Sequence, residues 1–184
     1  MFLGRLVSDK GVHVLIDALA ALRSRGQRPR LLVVGGGPEE SNLRAQCGAL
    51  GVSEQVEFAG LLPTEEVVRR LNQSRVMVVP STYEEPFGVV ALEGIACGCV
   101  VVASHAGGLP MAVGDCGLTF PMSDAAALAE AIATLLQDDG KMREMQAKAV
   151  HHLARHQPRA VADAHLAVIE RAVRGRSAAA PPRS

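Results

Sequence analysis

Three short runs, Leu31-Leu32-Val33-Val34, Val76-Met77-Val78-Val79 and Val100-Val101-Val102-Ala103, are apolar at every position. A strand with one face in water alternates polar and apolar residues, so an uninterrupted run reads as a strand covered on both faces. The first two runs lead into a glycine- or proline-bearing loop and then a helical pattern, and the third into the tight loop Gly107-Gly108-Leu109-Pro110. Met1-Phe2-Leu3, Val56-Glu57-Phe58-Ala59-Gly60 and Gly117-Leu118-Thr119-Phe120 read as further strands. Strands that alternate with helices through short loops predict a parallel sheet with right-handed crossovers. The expected class is α/β, with one six-stranded parallel sheet and helices on both faces.

The helices are legible from their apolar spacing. Val12, Leu15, Ile16, Leu19 and Leu22 recur at three- and four-residue intervals, and the helix they form should stop near Arg25-Gly26. A polar helix follows Gly35-Gly36-Gly37-Pro38 and ends near Leu50-Gly51, and another spans Pro63 to Asn72. Toward the C-terminus, Ser123-Asp124 can cap a helix whose apolar side is Leu128, Ile132, Leu135 and Leu136. A further helix is expected from about Lys141 to His156, and a last one from Pro158 to about Arg174. The domain therefore spans residues 1–174. The tail 175–184, rich in Ala, Pro and Arg, is expected to be disordered.

Composition excludes several classes. The 19 Lys plus Arg balance 19 Asp plus Glu, and with one Tyr and no Trp the chain lacks the basic, aromatic surface of a nucleic-acid binder. No apolar run approaches the roughly 20 residues of a membrane helix, and the start does not read as a signal peptide. Cys47, Cys97, Cys99 and Cys116 have neither redox nor zinc spacing and read as small core thiols in a reducing cytosol. Gly35-Gly36-Gly37 resembles the start of a dinucleotide fingerprint, but position 40 is Glu40 rather than glycine, so a nicotinamide or flavin site is not expected. No metal cluster is expected either.

In parallel sheets ligands bind beyond the carboxyl ends of the strands. Gly4-Arg5, Gly35-Gly36, Gly60, Glu84-Glu85 and Gly107-Gly108 each follow a strand and should share that rim. The densest chemistry lies in Pro80-Ser81-Thr82-Tyr83-Glu84-Glu85-Pro86-Phe87-Gly88 and the helix that opens at Gly88. Free N–H groups and the positive dipole end of a helix's first turn favour a phosphate, and Gly88 lets a ligand approach the backbone. Acidic groups before and within the helix can grip hydroxyls on either side of that phosphate, a pattern suited to a sugar nucleotide. Glu93 stands in an otherwise apolar helix, where a buried carboxylate is costly unless paired or ligated. The plainer readings are that Arg5 and Lys10 are solvated charges and Glu85 a favourable charge before a helix.

Taken in order, Gly4-Arg5-Leu6, Lys10-Gly11, Pro80-Ser81, Glu85-Pro86-Phe87-Gly88 through Glu93, and Gly107-Gly108-Leu109-Pro110 resemble the C-terminal donor-binding domain of family 4 glycosyltransferases. The resemblance implies the GT-B fold of two facing Rossmann-like halves, and it covers residues 1 to about 174. Glu85 and Glu93 match the E-x7-E signature of its retaining members. It implies that Arg5 and Lys10 hold the donor diphosphate and that Glu85 contacts sugar hydroxyls. Gly4, Phe87, Gly88, Val89 and Val90 would complete the phosphate and sugar contacts, Glu93 would bind the ribose, and Gly60-Leu61 would touch the base. The implied donor is a UDP-sugar, with GDP- or ADP-sugar as alternatives, and no cofactor or metal.

The resemblance also implies an acceptor-binding domain, which these residues do not include and which is expected to be supplied separately. Membrane association would come only through that domain, and the implied location is cytoplasmic. Met111 departs from the acidic residue common after Gly-Gly-x-Pro in the family. A non-catalytic nucleotide-sugar-binding module, or one subunit of a split enzyme, is the alternative; a sugar-nucleotide epimerase ranks below both.

Overall fold

A computed structural model describes residues 1–178. They divide into two compact units, Met1–Ala149 and a second that begins at Val150. The first unit carries β1 (Phe2–Leu3), β2 (Leu31–Val34), β3 (Val56–Gly60), β4 (Val76–Val79), β5 (Val100–Ser104) and β6 (Gly117–Phe120). All pairings are parallel. They form two three-stranded sheets, β1-β2-β3 and β4-β5-β6, rather than the single six-stranded sheet expected.

At the division β1 and β4 are neighbours, and Met1, just before β1, is bonded to β4. The Met1 nitrogen donates to the Val76 carbonyl at 2.8 Å, and the Val78 N–H donates to the Met1 carbonyl at 2.9 Å. One bracketed residue joins the sheets edge to edge without making a ladder. Across the molecule the strands run β3-β2-β1-β4-β5-β6, and the order reverses between β1 and β4. That reversal is where open α/β sheets bind ligands.

The uninterrupted apolar runs have a direct explanation. Val76, Val78, Val100 and Val102 belong to the core shared with Leu15, Ile16 and Leu19 of α1 (Val12–Ser24) and Leu128 and Ile132 of α6 (Ala125–Gln137). Met77 and Val101 point the other way, to α4 (Val89–Ala96), where a Cβ on Gly94 would lie 2.5 Å from Met77 Sδ. Both faces are covered, so neither set of alternate positions can be polar. The polar helix expected after the glycine loop is α2 (Glu40–Ala49), and Thr64–Asn72 forms α3.

Asp124 caps α6 as expected, accepting from the Ala127 N–H at 2.9 Å. The helix expected from Lys141 to His156 is instead two, α7 (Asp139–Ala147) and α8 (Ala149–Ala154). The sequence reading also missed α5 (Leu109–Val113), taking Gly107 to Pro110 as a loop; Pro110 fits there because the first-turn N–H has no intrahelical partner to lose. In the second unit α9 spans Pro158–Ala178, past the expected end at Arg174, and leaves Leu166, Ile169 and Val173 exposed. The disorder expected of the tail concerns, from position 179 onward, residues that lie outside those described.

Candidate functional site

The strand ends are tied into one rim by backbone contacts that require glycine. The β2–β3 register skips Ala59, pairing Val33 with Phe58 and Val34 with Gly60, so Gly60 turns out of the strand at φ +67° and accepts from the Gly35 N–H at 2.8 Å. Gly35 lies against the loop after β1, where a Cβ would come 1.8 Å from the Gly4 carbonyl oxygen. These loops enclose a cleft of about 250 Å³ lined by Gly4, Arg5, Gly35, Gly36 and Leu61. Leu61 is 86% exposed, and Arg5 is exposed and makes no hydrogen bond or ion pair among the described residues.

The other part of the rim is packed and internally bonded. The chain after β1 makes a 3-10 turn at Ser8–Lys10 and reaches Gly11 at φ +68°, where a Cβ would lie 1.9 Å from the Pro80 carbonyl oxygen. The Thr82 N–H donates to the Asp9 carbonyl at 2.8 Å, so the loops after β1 and β4 are locked together. The loop before α5 closes from the far side, its Gly108 N–H donating to the Glu85 carbonyl at 2.7 Å. A Cβ on Gly108 would meet Phe87 Cα and the Pro86 carbonyl oxygen at 2.6 Å.

This packing fixes one polar cluster. Lys10 Nζ donates to Glu85 Oε1 at 2.6 Å and to the Tyr83 hydroxyl at 3.0 Å. The Tyr83 hydroxyl donates to Glu85 Oε2 at 2.6 Å, and the Ser81 hydroxyl to Glu85 Oε1 at 2.8 Å. Lys10 also lies 4.8 Å from the centroid of the Tyr83 ring, within cation–π range. Glu85 and Ser81 are buried, whereas Glu84 is exposed. Burial alone would raise the Glu85 pKa, but the donors Lys10, Tyr83 and Ser81 outweigh it and hold the carboxyl below its ordinary range. Burial would likewise lower the Lys10 pKa, and its bonds to Glu85 and Tyr83 carry it above the ordinary value.

Beside the cluster α4 begins. Its cap is Gly88 at φ +93° with no side-chain hydrogen bond, so the first-turn N–H groups at Val89 and Val90 are left for an outside acceptor. A Cβ on Gly88 would lie 2.4 Å from Leu109 Cδ2, which holds the helix start close to α5. Phe87 is half-buried in the turn before it. Glu93 is exposed, which corrects the argument from burial: its carboxylate faces solvent and carries no desolvation cost there.

The structure thus groups Lys10, Glu85, Phe87, Gly88, Val89 and Val90 at one part of the rim. It places Gly4, Arg5, Gly60 and Leu61 at the other. Tyr83 received no role from the sequence, and Ser81 served only as part of a motif. Their signal was nearness in sequence, since Ser81 and Tyr83 stand four and two positions before Glu85 in the same loop. A hollow of about 370 Å³ lies at the opposite edge, where β2 and β4 begin, lined by residues such as Leu31 and Val76. It holds none of these groups. Among the described residues no three His, Cys, Asp or Glu side chains are placed to hold a metal ion, and no helix is long and apolar enough to cross a membrane. His105 is exposed, with Nδ1 3.2 Å from the Thr119 hydroxyl.

Parallel sheets with helices on both faces match one half of a GT-B glycosyltransferase. The chain belongs to the glycosyl transferases group 1 family, whose model matches residues 1–152. D-inositol 3-phosphate glycosyltransferase of Corynebacterium efficiens is 41% identical over 159 residues, covering 82% of this chain and 37% of that protein. The protein of that name from Acidothermus cellulolyticus is 40% identical over 166 residues, 84% of this chain and 37% of that one. Among solved structures, HepE of Anabaena in complex with UDP-glucose is 29% identical with a TM-score of 0.71, over 80% of this chain and 41% of that chain. Sucrose-phosphate synthase of Thermosynechococcus elongatus aligns with a TM-score of 0.75 at 28% identity, over 95% of this chain and 45% of that chain. The chain spans about two fifths of the length of the curated relatives it matches.

Proposed function

We propose that this chain is the donor-binding half of a retaining hexosyltransferase that takes a nucleoside-diphosphate sugar, with UDP as the favoured nucleotide. The observation that carries the reading is the Lys10–Glu85 cluster set beside the uncapped start of α4, with the Arg5-lined cleft on the same rim. HepE, whose structure holds UDP-glucose, supports the choice of uridine.

In this reading Arg5, Lys10 and the N–H groups of Val89 and Val90 neutralise the diphosphate as it departs. The bond between the anomeric carbon and the phosphate oxygen breaks, and the acceptor oxygen bonds to that carbon on the same face. The acceptor proton passes to the leaving phosphate. Glu85 accepts hydrogen bonds from sugar hydroxyls, Glu93 from the ribose, Gly60 and Leu61 frame the base, and Gly4 lies beside the phosphates. No step needs a metal or cofactor. An acceptor-binding domain supplied separately completes the site, and the four free cysteines suit work in the cytoplasm.

The test is a thermal-shift titration with UDP, GDP, ADP and their sugar conjugates. A ligand at 100 times its dissociation constant stabilises by about 2.7 kcal/mol, so a shift of several degrees selective for uridine is expected. No shift with any nucleotide overturns the proposal. Transfer to an acceptor by this chain alone would contradict the need for a second domain.

A further inference from the structure

The Glu85 carboxylate is held from three directions, and the holders differ in what donor binding asks of them. Lys10 Nζ and the Ser81 hydroxyl bond Oε1, whereas the Tyr83 hydroxyl bonds Oε2. Lys10 is the group the donor diphosphate would draw away. Ser81 is buried and Tyr83 is on the same loop as Glu85, so both can stay. A buried carboxylate that loses its cation and has no other donor would turn toward whatever N–H or O–H is nearest.

We propose that Tyr83 and Ser81 are the positioning residues that keep Glu85 aimed at the donor's sugar once Lys10 has turned to the diphosphate. This rests on the donor-binding reading above. Tyr83 has the larger share because its hydroxyl is the bond to Oε2, and it faces both charged groups of the cluster, Lys10 and Glu85. Holding Oε2 from the protein side leaves Oε1, once Lys10 has left it, as the oxygen with room for a sugar hydroxyl. Specificity for the glycosyl group, as distinct from affinity for the nucleotide, would then depend on a tyrosine that touches neither.

The experiment is calorimetric titration of the whole chain, wild type, Tyr83→Phe and Ser81→Ala, with UDP and with UDP-glucose across pH 4–8. In wild type UDP-glucose is expected to bind more tightly than UDP, and the ratio of the two affinities measures sugar recognition. Tyr83→Phe is expected to keep UDP affinity within about twofold and to cut that ratio by about tenfold, the effect of one hydrogen bond to a charged group. Its sugar recognition should also fail at a higher pH than wild type, because Glu85 loses a donor that favours its ionised form; a role in folding alone would not move that limb. Ser81→Ala should change the ratio in the same direction by less. An unchanged ratio and acid limb in Tyr83→Phe overturns the proposal while leaving donor binding intact. Failure of wild type to bind UDP at all overturns the parent reading and this one with it.

Discussion

Two parts of the same rim are built on opposite principles. Around Lys10 and Glu85 the polar side chains of the cluster, Ser81 and Tyr83 included, are bonded to one another, and three loops interlock through glycines that admit no side chain. Around Arg5 and Leu61 the loops are tied only through backbone, and the cation and the leucine stand open over a cleft. On the proposed donor-binding reading, the closed part is pre-organised and must exchange partners when a donor arrives. The open part has nothing to give up. Affinity for the nucleotide should therefore be set by the open part, and recognition of the sugar by what the closed part is willing to exchange.

The largest effect comes from forcing a side chain into each part. Gly11 and Gly60 have nearly the same φ, +68° and +67°, but a Cβ on Gly11 would meet the Pro80 carbonyl oxygen at 1.9 Å, whereas one on Gly60 meets nothing within 4 Å. Gly60→Ala should cost only the left-handed strain of about 1–2 kcal/mol. Gly11→Ala should add a backbone clash and cost roughly 3 kcal/mol or more, which chemical denaturation can measure. Equal losses would mean that the two loops give way alike and that the closed part is not rigid.

Next in size is the pair of cations. Arg5→Ala removes an exposed, unpartnered side chain, so stability should stay within about 0.5 kcal/mol. UDP affinity should fall by about 10- to 100-fold, the worth of one charge-assisted phosphate contact. Lys10→Ala should lose affinity too, and also stability, by about 1–3 kcal/mol, because Glu85 is left buried with fewer donors. Calorimetry and unfolding on the same two variants read both quantities. An Arg5→Ala protein with wild-type UDP affinity would remove the open part from the site.

Glu85→Gln gives a smaller and less intuitive effect. The amide cannot hold the Lys10 ammonium as an ion pair, so Lys10 is released to the diphosphate. UDP should bind about three- to tenfold more tightly than to wild type while UDP-glucose loses its advantage over UDP. Weaker UDP binding in this variant would show that Lys10 and Glu85 do not compete.

Much of this rim was legible in sequence because its demands are local. A glycine after a strand, a proline before a helix and a pair of glutamates eight positions apart are visible without coordinates. The runs apolar at every position also foretold sheets covered on both faces. What escaped depends on contacts between distant segments. Lys10 and Glu85 are 75 residues apart and meet only because Gly11 fits against Pro80. Glu93 was misjudged because apolar neighbours along a helix say little about its own face: Leu92 and Gly94 point elsewhere, and one helical step of about 100° puts the carboxylate in water.

The smallest effect is electrostatic and has a definite sign. Glu85 is ionised more readily in the folded chain than at its ordinary value of 4.5, so its contribution is present above that value and is lost as pH falls through the lower folded pKa. Lys10 is held above its ordinary 10.5, so its contribution is present below that value and is lost as pH rises through the higher folded pKa. Between the two the pair is fully formed. Lys10 keeps 20% side-chain exposure and Glu85 10%, so solvent screens part of the attraction and the pair should contribute about 1 kcal/mol or less. The measurement is the stability difference between wild type and Glu85→Gln as a function of pH. It should be flat from about pH 5 to 9 and shrink on going below about pH 4. Salt should reduce the plateau only slightly, because a half-buried pair is screened less than a surface one. A difference that persists unchanged into acid would mean that Glu85 serves the fold through shape alone, and that the closed part of the rim holds no charge for a donor to exchange.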